Sequence, residues 1–115
     1  HLSGASLRTI ALAVSIMIMY HVPFNLLMFT TFILVFSVTV VAAPGIPGGV
    51  IMSSIGLLTT MLGFNEPMLA IIVPLSIALD NIGTAVNVTG DGAVMVIVDK
   101  LMDEKKVPDA RNEEK

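Results

Sequence analysis

Within twelve residues, DNIGTAVNVTGD (80–91) places two carboxylates, two asparagines and two threonines between the apolar runs MLAIIVPLSIAL and GAVMVIV. On a helix of about 100° per residue, Asp80, Thr84, Asn87 and Asp91 recur at intervals of 4, 3 and 4 and share one face. Ser76 extends that stripe by a turn, and Gly83 and Gly90 flank it, where a missing side chain admits another backbone or a ligand. Carboxylate, amide and carbonyl oxygens suit a hard cation such as sodium, and an acid can also hold an ammonium group. Within a membrane each carboxylate costs at least ~2.5 kcal/mol, which makes two on one face, about 16 Å apart, a functional signal. Structural alternatives remain at single positions. Asp80 could cap a broken helix, Thr84 and Asn87 could bind a neighbouring helix, and Asp91 could lie near the cytoplasmic interface.

The elements that must position this stripe are set by composition. The chain is 55% hydrophobic and 13% charged, where a soluble domain carries about 25% charged residues. Apart from His21, a turn residue beside Pro23, no residue that could be charged at neutral pH interrupts residues 9–62, and none interrupts 68–79. Runs of roughly 20 apolar residues cross a bilayer, so an all-helical integral membrane protein is expected. There is no cysteine and hence no disulfide framework. A net charge of −3 offers no basic footprint for a nucleic-acid partner, and membrane lipid is the expected surround. The eight methionines read as packing rather than metal ligands. No nucleophile–base pair or closed metal-ligand set points to an enzyme. No basic n-region of a signal peptide is visible, and the opening HLSGAS reads as an internal start, so a C-terminal piece of a longer protein is expected.

Residues 7–19 read as a short apolar helix ended by YHVPFN. Residues 24–42 form a second helix, stopped by APGIPGG (43–49), whose two prolines and three glycines cannot continue it. Residues 50–62 resume the apolar pattern over about half a bilayer thickness. Irregular backbone at membrane depth is tolerated where protein buries it or a cavity adjoins it, so 24–62 reads as a re-entrant hairpin with its tip at 43–49; the alternative is a water-exposed loop between two spans, one of them unusually short. After the turn GFNEP, a single long helix is expected over 67–102, then a charged tail over 103–115. Lys100, Lys105, Lys106, Arg111 and Lys115 put that tail in the cytoplasm by the positive-inside bias. Arg8, just inside an apolar segment, must either snorkel to a surface or face a cavity.

Taken together, APGIPGGVIM and DNIGTAVNVTGD resemble the dicarboxylate/amino acid:cation symporters, the family of the glutamate transporters and their prokaryotic homologues. The resemblance covers the chain as the C-terminal part of a transport domain (1–102). It implies the end of one span over 1–20, a re-entrant hairpin over 24–62 and a last transmembrane helix over 67–102. It implies that Asp80 holds a substrate amine, that Thr84 and Asn87 contact the substrate, and that Ile46 and Gly49 close over it. Asp91 with Asn87 would bind one sodium ion, and carbonyls around Val40, Val41 and Ala43 another. It further implies a homotrimer in the full-length protein, a prokaryotic plasma (inner) membrane, and sodium as coupling ion.

Two departures redirect the expectation. Members that carry acidic amino acids place an arginine where this chain has Gly83, which points to a small neutral amino acid. Arg8 on the facing helix could replace that arginine as a substrate contact, which keeps a dicarboxylate or acidic amino acid, with cation or proton coupling, as the alternative. The family's NMDGT motif falls on HLSGA, where His1, Ser3 and Ala5 replace sodium and substrate contacts. That loss also keeps open a degenerate, non-transporting homologue.

Overall fold

The computed structural model describes residues 2–106, with side-chain surroundings through residue 102. The chain is all-helical there: α1 Ser3–Met19, α2 Leu26–Ala42, α3 Gly49–Leu62, α4 Glu66–Ala78 and α5 Asp80–Lys106. Each boundary has a local cause. Asn25 caps α2, its Oδ1 accepting the N–H groups of Leu27 at 3.0 Å and Met28 at 3.4 Å. Asn65 caps α4 in the same way, accepting Met68 N–H at 3.2 Å, with Pro67 in the first turn. Gly63 ends α3 at φ +70°, the left-handed turn that returns Phe64 N–H to the Leu58 carbonyl at 3.0 Å. His21, at φ +54°, makes the equivalent turn after α1.

α1 runs through the middle of the packing and touches α3, α4 and α5, while α2 and α3 pack along each other as a hairpin. The core joins Ala13, Ile16 and Met17 of α1 to Phe32, Phe36 and Val40 of α2. Ile51, Leu58 and Leu62 of α3 and Met68 and Ile72 of α4 complete it, all buried. Phe32 and Phe36 stack with centroids 5.4 Å apart, one turn of α2 from each other. Charge is absent from this core because nothing on the long apolar stretch supplies any.

The single long helix expected over 67–102 is instead two helices, broken at Leu79. Pro74, inside α4, lacks the N–H that would bond the Ala70 carbonyl. At Leu79 the backbone tightens, and its carbonyl accepts Ile82 N–H at 3.2 Å rather than the N–H of a residue four positions on. The second lone pair of that carbonyl accepts from Arg8 Nη1 at 3.0 Å. Helix α5 also runs beyond Met102 to Lys106, so the tail placed at 103–115 begins as helix; residues 107–115 lie outside the described residues. At the other end, α1 starts at Ser3 rather than Leu7.

Among the described residues, one helical stretch, Asp80–Met102, is long and apolar enough to cross a membrane. Val94, Met95, Val96, Ile97, Val98, Leu101 and Met102 are exposed around its whole circumference. A helix apolar on all sides is stable only when lipid or other protein surrounds it. α2, with 17 residues, and α3, with 14, are each shorter than the roughly 20 residues a full crossing needs.

Candidate functional site

The Pro/Gly tip between α2 and α3 stands opposite the polar face of α5, and the two enclose a cavity of about 360 Å³. Ala43, Pro44, Gly45, Ile46 and Pro47 form one wall. Asp80, Asn81, Thr84 and Asn87 form the other, with Leu2 just before α1, Ala5 of α1 and Val50 of α3 at the margins. The tip is seated by glycines. Gly48 sits at φ +74°, and a Cβ there would lie 2.9 Å from Ile77 Cγ1 of α4. Gly49 is buried against the Pro44 carbonyl, with no room for a side chain.

Three of the stripe residues meet in this cavity, each held differently. Thr84 donates its hydroxyl to the Asp80 carbonyl at 3.0 Å, which leaves the oxygen's lone pairs for a donor in the cavity. Asn87 Oδ1 accepts Gly4 N–H at 2.9 Å. That bond caps α1 from a different helix, which explains why α1 can start at Ser3 although Leu2 has no capping side chain. With Oδ1 engaged, the Asn87 amide keeps its NH₂ as a donor. Asp80 Oδ1 accepts from Arg8 Nη1 at 2.8 Å.

The Arg8 side chain is 9% exposed and lies behind Asp80, off the cavity wall. Gly83 makes this possible, because a Cβ at that position would be 2.9 Å from Arg8 Nη1. Gly4 and Gly83 together let α1 and α5 approach backbone to backbone. A Cβ on Gly4 would meet the Gly83 carbonyl oxygen at 2.5 Å and Val86 Cβ at 2.8 Å. Arg8 Nε and Nη2 are buried without a hydrogen-bond partner among the described residues.

The remaining candidates are dispersed. Asp91 is exposed on α5, one turn beyond Asn87 and outside the cavity lining. Val40 is buried and its carbonyl accepts Ala43 N–H at 3.3 Å, whereas Val41 is 77% exposed. Gly49 lies behind the tip, outside the lining, while Ile46 and Ala43 reach it. Ser76, expected on the stripe, is fully buried on α4, and its hydroxyl has no partner among the described residues. The break at Leu79 takes it out of phase with Asp80. Asn81 is a wall residue that periodicity passed over, since it lies about 100° from Asp80 on the helix. Of the HLSGA positions, Ala5 lines the cavity and Ser3 lines an apolar groove along Thr89 and Gly90; His1 is outside the described residues.

The helix long and apolar enough to cross a membrane thus begins beside a polar cavity, with the Pro/Gly tip between α2 and α3 as the opposite wall. The chain belongs to the sodium:dicarboxylate symporter family, whose pattern it matches over residues 1–101. No curated protein and no solved structure shows a match to it. The family is one of cation-coupled membrane transporters, not of enzymes.

Proposed function

We propose that this chain forms the solute site of a sodium-coupled symporter for a small neutral amino acid. The observation that carries the reading is the cavity between the 43–47 tip and the Asp80–Asn87 face. At about 360 Å³ it is near the small end of ligand pockets. The charged residue on its wall is Asp80, suited to an ammonium group. The Asn87 amide is suited to an α-carboxylate, with Thr84 between them. Arg8, the cation that would favour a second carboxylate, is spent on Asp80 and the Leu79 carbonyl. In this reading α2, the tip and α3 form a re-entrant gate over the solute, and Asp91 with neighbouring carbonyls holds sodium.

The dicarboxylate alternative draws on Nε and Nη2 of Arg8, which have no partner among the described residues and could receive an anion if the side chain turned. Competition separates the two. Uptake of radiolabelled alanine by the full-length protein should be inhibited by excess serine and left unchanged by excess succinate. Inhibition by succinate but not by serine would replace the neutral amino acid with a dicarboxylate.

A further inference from the structure

We infer that Arg8 is a positioning residue that sets the net charge of the solute site, so that the cavity selects solutes carrying no net charge. This rests on the amino-acid reading above and adds the residue that enforces it. Arg8 enters from α1 and ends on the α4–α5 break, donating to Leu79 O at 3.0 Å and to Asp80 Oδ1 at 2.8 Å. Asp80 faces the cavity and Arg8 does not. The pair therefore presents a carboxylate to the solute while cancelling its charge from behind.

Among the described residues no other charged side chain is on this wall, and Asp91 is eleven residues further along α5, about 16 Å away. The local field is thus that of the pair. A zwitterion brings its ammonium group to Asp80 and balances it with its own carboxylate. A solute with an extra positive charge meets the repulsion of Arg8, and one with an extra negative charge meets that of Asp80.

The hydrogen bonding of Arg8 points to a charge role rather than a clamping one. Among the described residues only Nη1 has acceptors, and Nε and Nη2 are buried with none. A side chain needed merely to close the Leu79 carbonyl would not require a buried guanidinium with part of its donor edge unused. Gly83 completes the arrangement, since any side chain there would displace the guanidinium.

The test uses the full-length protein in proteoliposomes, with alanine, lysine and succinate as probes. In Arg8→Gln the site carries the uncompensated charge of Asp80, and the ratio of lysine to alanine uptake should rise about tenfold or more. Arg8→Lys keeps the charge and should keep the wild-type ratio. An Arg8→Gln protein that still transports with an unchanged ratio overturns the inference. Where Arg8→Gln does not transport at all, Arg8→Lys decides. Alanine uptake at the wild-type ratio supports a charge role, and loss of uptake or a changed ratio overturns it. Wild-type protein that takes up no alanine would instead sink the amino-acid reading itself.

Discussion

Asp80→Asn is expected to cut alanine uptake at least about 100-fold, equivalent to about 2.8 kcal/mol, with the protein still reaching the membrane. Two losses combine. The cavity loses its carboxylate, the group suited to a substrate amine. Arg8, 9% exposed, also loses its counter-ion and keeps neutral acceptors alone, the Leu79 carbonyl and the amide oxygen of the new side chain. Removing one partner of a buried ion pair costs about 3–5 kcal/mol, and Asp80, 26% exposed, reduces that figure through solvent screening. The second loss acts on the fold and the first on transport, so they can be separated. Adding Arg8→Gln to Asp80→Asn should recover thermal stability, because the orphaned charge is gone, without recovering alanine uptake. Undiminished uptake by Asp80→Asn would remove the aspartate from the site.

Gly4→Ala should lower the stability of the detergent-solubilised protein by about 1–2 kcal/mol, read from its unfolding midpoint. In an ordinary helix the same change gains about 1 kcal/mol, so here the sign is reversed by packing. The added methyl would sit 2.5 Å from the Gly83 carbonyl oxygen and 2.8 Å from Val86 Cβ. A backbone oxygen and a β-branched side chain have little freedom to move aside. Relief requires α1 and α5 to separate, which strains the Gly4–Asn87 bond and the Arg8–Asp80 pair together. Gly56→Ala is the internal control, since a Cβ there meets nothing within 4 Å and should leave stability equal or higher. Equal midpoints for the two variants would show that the α1–α5 crossing is looser than these distances require.

What was legible in the sequence was chiefly what depends on spacing. The intervals of 4, 3 and 4 placed Asp80, Thr84 and Asn87 on one face, and those three do line one cavity. Two prolines and three glycines located the tip that forms its other wall. The structural alternative for Asp80, a cap on a broken helix, is right about the break but not about the cap, since Asp80 is the first residue of α5 and its Oδ1 accepts from Arg8. The break itself was missed because Pro74 alone does not decide between a kink and a stop. At Leu79 the carbonyl accepts from Arg8, a donor 71 residues away that local spacing does not reveal.

The same limit explains the other misplacements. Ser76 was put on the stripe by a helical phase that the break interrupts. For Asn87 the structural alternative, a bond to a neighbouring helix, is present, since its Oδ1 accepts Gly4 N–H of α1, but spacing did not say which helix. The two possibilities for Arg8 were a surface and a cavity, and it lies behind the cavity wall, against Asp80 and the Leu79 carbonyl. Gly83 instead left a space into which it could fold back. Each of these is a contact between segments distant in sequence, and residue spacing carries no information about such contacts.

The central claim, cation-coupled symport through the Asp80–Asn87 cavity, is tested most directly by alanine uptake into proteoliposomes holding the full-length protein, with and without an inward sodium gradient. Accumulation above the equilibrium level with the gradient, lost when choline replaces sodium on both sides, is the predicted result. Alanine uptake that is equal with and without the sodium gradient would contradict it.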